Sequence, residues 1–547
     1  MLNQAAEAGK FGYHPNCIGV KLTHLSFADD ILVFSDGQAR SLDGIMEVMD
    51  QFASVSGLYI NVSKSTVFAS GDTSGALGAA VVAKGISVGI LPIIYLGFPL
   101  TTKTLTKRDY EPLVDKVRSR MLTWSNKSLS FAGRLQLIKS VITSIVNFWS
   151  SAFILPVSCL NEIESLYSAF LWSGSPHQSH KAKVAWAELC FPKDEGGLGL
   201  RRLRDSATVF SLQLIWRLFT LEGSLWVSWV QHYLLRGSSF WDVKEDHKGS
   251  WIRRKLLKLR DLAYPFMKTK ILNGNDAFFW FDNWLGQGKI IDITGDAGTI
   301  QYGVPRNARV CDAVRDGQWH IRGQRSRHFP ALLGLIRDAP VPCAENGLDQ
   351  MLWRHSRNQF KDHFSASETW HQLRVKRGTV PWSKVVWFAQ GIPRYSLITW
   401  LAIKNRLSTG DRMRSWGMQQ HCTLCGEIDE TRDHLFFACT FSYTVLDNIA
   451  GRLLGQRMDP EWSDTLLAIQ HARFSPLFQI LVRMVFQMTI YNVWKERNGR
   501  RHQKLWSTAA QITRLIDKTV RNRITSLKYG PSHKYAGLMQ RWFTVVP

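Results

Sequence analysis

Cysteine is scarce, carboxylates are outnumbered, and long apolar runs are missing. Eight Cys in 547 residues are too few for a disulfide framework. Five of them, Cys17, Cys159, Cys190, Cys311 and Cys343, are scattered. Asp and Glu total 44 against 68 Lys and Arg, and the resulting +24 calls for a polyanion or an acidic partner. Residues 140–156 are apolar, but they contain Ser, Thr and Asn and end at a proline. They read as a buried helix, not a membrane span. The first sixteen residues, MLNQAAEAGKFGYHPN, lack the apolar core of a signal peptide. These absences argue against secretion and membrane insertion, and the expected location is nucleus or cytoplasm. No repeat of fixed period and no low-complexity tract stands out. Gly196-Gly197-Leu198-Gly199 lacks the Gly-Lys-Ser/Thr of a phosphate-binding loop and reads as a tight turn.

What is present is globular: 45% hydrophobic residues, 20% charged, and 22 Trp. At the usual domain size the length gives about three to five domains. Residues 22–34 read as two short β-prone runs around an acidic tip. Leu42, Ile45, Met46, Met49 and Phe52 then recur at helical spacing, with Ser41 as N-cap and Gly57 as the stop. From Asp109, taken as an N-cap, the pattern is helical. A second helix is expected over residues 131–153 and a third over 160–172. Residues 205–236 are helical and Trp-rich, and 270–350 alternate loops with strands. Ser475-Pro476 opens a helix with an apolar stripe of Leu477, Ile480, Leu481, Met484, Val485 and Met488.

Three features carry chemistry. Phe27-Ala28-Asp29-Asp30 places two carboxylates at a hairpin tip, where they can hold divalent metal for phosphoryl transfer. The alternative is a solvated turn. Cys422-x2-Cys425-x8-His434-x4-Cys439 has the spacing of a closed tetrahedral zinc site, which leaves no open position and is therefore structural. The alternative is three buried thiols beside a core histidine, and His421 is an inferior fourth ligand. Basic residues gather on two stretches: Lys116, Arg118, Arg120, Lys127, Arg134 and Lys139, then Lys495, Arg497, Arg500, Arg501 and Lys504. From 495 to 526 nine basic residues face two acidic ones. Such surfaces contact phosphates with affinity but little sequence specificity. Each single cation can equally lie on a solvated helix face. Residues 495–504 could also serve as a nuclear-import patch.

LTHLSFADDILVFSDG, GLYINVSKS and YLGFPL, in that order, resemble the palm of plant non-LTR (LINE-type) retrotransposon reverse transcriptases. LSFAGRLQLIKSVI is similar to the family's thumb, and KDEGGLGLRRL and FFWFDNW to its connector. RLSTGDRMRSWG with CTLCGEIDETRDHLFFAC is similar to its zinc-binding domain. The resemblance implies an α+β multidomain chain. Its parts would be a partial palm (1–105), a helical thumb (106–175), a mixed, Trp-rich connector (176–360), a small zinc-binding domain (361–447) and a basic helical tail (448–547). It implies RNA-directed DNA synthesis with Mg²⁺ at the palm carboxylates, structural Zn²⁺, and RNA and DNA as partners. By position, Asp29 matches the palm's metal-binding Asp and Asp30 its less direct neighbour. Lys64 matches a lysine proposed to protonate the pyrophosphate leaving group. Tyr95-Leu96-Gly97 matches the segment that holds the primer end.

The departures matter. A palm needs a further metal-binding Asp on an upstream strand, yet Glu7 is the one acidic residue among the first 28. The family's Gln-Gly-x-Pro-Leu-Ser segment is also absent, as are the fingers and the endonuclease. The expectation is a C-terminal part of such an enzyme, inactive alone, whose missing palm an upstream polypeptide or partner chain would supply. Rival readings are a non-enzymatic, zinc-containing nucleic-acid-binding protein and the product of a decaying element. No ribonuclease H carboxylate set is apparent in the last hundred residues.

Overall fold

The computed structural model describes the chain apart from residues 70–74, 102–103, 126–128, 178–181, 221–222, 246–250, 323–328, 455–460, 472–473, 503–505, 528–532 and 546–547. Lys127 and Lys504 therefore lie outside the described residues. The architecture is mixed α+β: helices dominate, and the sheets among the described residues have two or three strands. No described helix is long and apolar enough to cross a membrane. The chain divides into two compact units.

The first unit comprises Met1–Pro112, Asn147–Pro156 and Arg204–Arg374. Its N-terminal part is the hairpin His24–Phe27/Asp30–Val33, flanked by the helices Leu2–Glu7 and Ala39–Ser56. Leu2, Ala5, Phe11, Val48 and Met49 bury one face of those helices. Gly57 ends the second helix in the left-handed conformation, at φ 72°. Ser41 is not its N-cap. Gln38 takes that position, and the buried Ser41 hydroxyl accepts the Gly12 N–H at 3.0 Å. The segment over 59–68, read as extended, holds the short turn Val62–Lys64 and the strand Thr66–Val67, which pairs in parallel with Ser87–Val88.

The larger core of this unit surrounds Phe279-Trp280-Phe281, all buried, with Trp353 and Trp216 in edge-to-face contact. The described residues of 270–350 hold three α-helices, Ile290–Thr294, Ala297–Tyr302 and Pro330–Asp338, beyond the expected loops and strands. A three-stranded sheet joins Met267–Lys270, Gln350–Ser356 and Gln359–Lys361. Asp282 lies wholly inside this core and accepts the Phe278 N–H at 2.7 Å. Burial pushes its carboxyl up to about 6.

The second unit comprises Leu113–Val146, Val157–Leu203 and Val375–Pro547. Leu113, Val114, Val117 and Met121 form the expected stripe of the helix Lys107–Ser125 and are fully buried. Asp109 sits inside the first turn. Its carboxylate accepts the Thr106 N–H and hydroxyl, both at 2.7 Å, which fixes the helix start at Thr106. The helix expected from 131 runs as Phe131–Leu137 and Thr143–Ala152 around a π turn, Ile138–Ile142. The next helix is Val157–Ser173. The Gly196 region is a tight turn. A Cβ on Gly197 would lie 2.0 Å from the Phe191 carbonyl oxygen, so only glycine fits there. The long helix Pro476–His502 buries Leu481, Met484, Val485 and Met488 against its neighbours. Its Gln487 donates to the carbonyls of Val385 and Val386, at 2.9 and 2.8 Å.

Candidate metal centre, acidic hairpin and basic surface

Four ligand atoms converge in the second unit. The Sγ atoms of Cys422, Cys425 and Cys439 and a ring nitrogen of His434 all lie within 4.8 Å of one another. Cys422 and Cys425 come from one turn, closed by the Gly426 N–H donating to the Cys422 carbonyl at 2.8 Å. Gly426 has φ 88°, a conformation that favours glycine. His434 opens the π turn His434–Ala438, and its N–H is held by the Thr431 hydroxyl at 3.0 Å. Cys439 follows directly and leads into the helix Thr440–Leu454. Buried Leu435, Phe436 and Phe437 fix that connection in the core.

These distances fit zinc. A Zn–S bond of about 2.3 Å places tetrahedral sulfurs about 3.8 Å apart. Cys422 Sγ lies 3.9 Å from Cys439 Sγ, and Cys425 Sγ 3.2 Å from His434 Nε2. The Cys422 S–H donated to Cys439 holds the Cys439 thiol below its ordinary range and drives the Cys422 thiol up. Three thiolates and one imidazole would saturate a tetrahedral ion and leave no open position. Among the described residues no other group of three or more His, Cys, Asp or Glu side chains is close enough to share a metal.

The long helix braces this centre. Arg500 donates to the carbonyls of Thr423 and Leu424, at 3.5 and 3.3 Å, inside the Cys-x-x-Cys turn. It also pairs with Glu496 at 2.9 Å and lies over the Phe441 ring. Arg497 is buried against Glu430, whose carboxylate also accepts the Gly410 N–H at 3.0 Å. Gln420 accepts from both Arg497 and Arg501. Sequence reasoning missed Glu430 and Gln420. Their only signal was a carboxylate and an amide flanking a metal motif in a chain with surplus arginine.

The basic residues therefore sort into two sets. Arg497, Arg500 and Arg501 make contacts within the protein, to Glu430, Gln420, Glu496 and main-chain carbonyls. Two thumb-like residues are engaged in the same way. Arg134 donates to the Leu171 carbonyl at 3.3 Å and lies over the Phe131 ring. Lys139 donates to the Leu198 carbonyl at 2.6 Å. Arg118 pairs with Asp115 and Glu162. Lys116, Arg120 and Lys495 are exposed, and none makes an ion pair among the described residues.

In the first unit, the acidic tip is the two-residue turn Ala28–Asp29 between Phe27 and Asp30, which pair across the strands. Ala28 has φ 52°. Asp29 and Asp30 are exposed, and neither side chain is hydrogen-bonded or ion-paired among the described residues. Leu25, Phe27 and Ile31 are exposed on the same hairpin, 37%, 60% and 46% accessible, and among the described residues no third strand joins its edges. Lys64 is exposed at the end of its own turn, whose start Asn61 caps at 3.1 Å. The strand that follows, Thr66–Val67, pairs within a separate sheet. Tyr95 ends a strand that Leu96 and Gly97, at φ 50° and 82°, turn back into Phe98–Leu100.

This arrangement coincides with two known families. Residues 3–100 match the family of reverse transcriptases (RNA-dependent DNA polymerases). Residues 364–445 match the family described as zinc-binding in reverse transcriptase, and all four converging ligands fall inside that match. The two matches lie in the order that the sequence resemblance implies, and they support a resemblance to reverse transcriptases with their zinc-binding segment. Over 361 residues it is also 32% identical to an Arabidopsis thaliana protein named "Putative ribonuclease H protein". The alignment covers 62% of this chain and 56% of that relative, so the chain spans about half the relative's length.

Proposed function

We propose that this polypeptide is a retrotransposon-derived reverse-transcriptase segment that binds RNA and DNA and does not polymerise by itself. The observation that carries this reading is the acidic hairpin: Asp29 and Asp30 stand in solvent within the reverse-transcriptase match. Two carboxylates on one turn make an incomplete two-metal clamp, because the attacking and leaving oxygens both need compensating charge. A further carboxylate, brought by upstream sequence or a partner chain, would complete it, and Mg²⁺ would be the ion held there. The five-part division into partial palm, thumb, connector, zinc-binding domain and basic tail belongs to this reading. Zinc folds the 361–447 region, and exposed cations such as Lys116, Arg120 and Lys495 meet phosphates.

The test is fluorescence anisotropy with a 20-nucleotide RNA and an RNA–DNA hybrid across a salt series, alongside Mg²⁺-dependent primer extension. The expected result is affinity that falls steeply with salt and no extension. Extension abolished by Asp29→Ala would overturn the inactivity. Binding indifferent to salt would overturn the nucleic-acid reading.

A further inference from the structure

An open cleft of about 910 Å³ lies within the first unit, between residues 19–21 and the segment 223–237. One wall lies inside the reverse-transcriptase match, but none of the site residues named above lines the cleft. Its described lining includes Lys21, Gln231, His232 and Arg236, and no carboxylate. Lys21 and Arg236 are exposed, and neither makes an ion pair among the described residues. Among the described residues the Arg236 side chain donates its Nε–H to the Tyr233 carbonyl at 3.3 Å.

The backbone around these cations is unusual. Lys21 and Arg236 both adopt the left-handed conformation, at φ 49° and 50°. For residues with a Cβ this conformation is strained, and such strain collects at ligand clamps. Arg236 ends a π turn, Val230–Leu235, a form frequent at functional sites. The two walls are tied together: the Gly19 N–H donates to the Tyr233 hydroxyl at 2.7 Å, and the Trp229 indole N–H to the Asn16 carbonyl at 2.8 Å. The His232 ring packs so closely on Gly19 that a Cβ there would lie 2.0 Å from Nε2. Gly237, on the rim, has open space where a side chain would stand.

An open, glycine-edged cleft with Lys21, His232 and Arg236 and no described acid suits a phosphate chain. Its openness favours a strand that passes through over a molecule enclosed on all sides. Lys21 lies three residues before the strand that leads to Asp29, so the cleft adjoins the base of the acidic hairpin in the chain. We infer that this cleft is a second nucleic-acid contact, holding the phosphodiester backbone of a single strand between Lys21 and Arg236. The inference rests on the nucleic-acid reading above and adds a location to it.

The test uses the full chain and the double variant Lys21→Asn/Arg236→Asn, since Asn tolerates the left-handed conformation. The control is Arg315→Gln/Arg337→Gln, which removes equal charge from exposed positions of the same unit. The probes are a 20-nucleotide RNA, by anisotropy over a salt series, and inorganic pyrophosphate, by calorimetry. The expected result is RNA binding weakened roughly tenfold at low salt, with the log–log salt slope reduced by about 1.4, or 0.7 for each lost contact. The control should keep both near the original values. If the double variant matches the control while the original chain binds RNA, the cleft assignment fails and the nucleic-acid reading stands. If the original chain shows no salt-sensitive RNA binding, both fail. If pyrophosphate binding alone is lost, the strand assignment is overturned in favour of a small phosphate ligand.

Discussion

Arg497 and Glu430, 67 residues apart, form an ion pair that the core encloses completely: their side chains are 3% and 0% accessible. The pair links three pieces of backbone. Arg497 belongs to the helix Pro476–His502, Glu430 to the loop between the paired metal ligands, and Gly410 donates its N–H to the same carboxylate. Arg497 thus acts as an internal strut for the metal-binding region.

Removing one partner should be severe. Arg497→Ala leaves a buried carboxylate with its compensating charge gone, and Glu430→Ala does the reverse. Each should cost about 3–5 kcal/mol. Replacing both by apolar residues of similar volume, as in Arg497→Met/Glu430→Leu, should cost clearly less than either single change. Urea denaturation of the four proteins checks this. Single variants as stable as the original chain would refute the strut.

The metal ligands predict a coupled loss. Cys425→Ser removes one thiolate from a closed site whose binding is worth on the order of 10 kcal/mol or more, part of it folding energy. Zinc per chain, measured by atomic absorption, should fall together with the melting temperature. Arg500→Ala should keep zinc stoichiometry but weaken its retention against chelators, because Arg500 grips the two carbonyls inside the Cys-x-x-Cys turn. Unchanged zinc content in Cys425→Ser would rule out this ligand set.

How far the sequence carries the reader depends on the range of the signal. Spacing is local, so the zinc quartet and the hairpin were legible: each depends on residues within eighteen positions of one another. Helical periodicity was equally local, and the stripe from Leu481 to Met488 is buried. Caps were legible where backbone geometry dictated them, as at Gly57. They were misread at Ser41, whose hydroxyl is taken by Gly12 from a distant turn. The basic surface was the least legible feature. Whether an arginine faces solvent or a buried carboxylate is decided by tertiary partners, and Glu430 carries no mark of its role in its own segment. The left-handed Lys21 and Arg236 left no trace either, since a strained backbone has no signature in residue type.

Lys139 predicts a pH dependence. Burial, with the nearby Lys193, lowers its ammonium to about 8. Between there and the usual lysine range the unfolded chain holds more protons than the folded one, so this group's contribution to stability rises with pH across that interval. Below about 8, where the lysine is charged in both states, its burial penalty is full. Subtracting the stability of Lys139→Met from that of the original chain at each pH isolates the group. The difference should move in favour of the original chain from pH 8 to 10, and a flat difference would contradict the depressed ammonium.

Asp29 predicts silence where a structural residue would speak. Its side chain is exposed and makes no described hydrogen bond, so Asp29→Ala should change folding stability by no more than about 0.5 kcal/mol. Nucleic-acid affinity should also hold or rise slightly, since the change removes a negative charge from a surface meeting phosphates. The neighbouring Ala28, at φ 52°, should accept glycine without loss of fold, because glycine takes that conformation freely. A carboxylate that can be deleted at no cost to the fold, on a hairpin with Leu25, Phe27 and Ile31 uncovered, is placed for work outside the described contacts. Thermal melts and anisotropy on Asp29→Ala and Asp29→Asn decide the matter. A loss of several kcal/mol would make Asp29 a turn-forming residue and remove the hairpin from any catalytic argument.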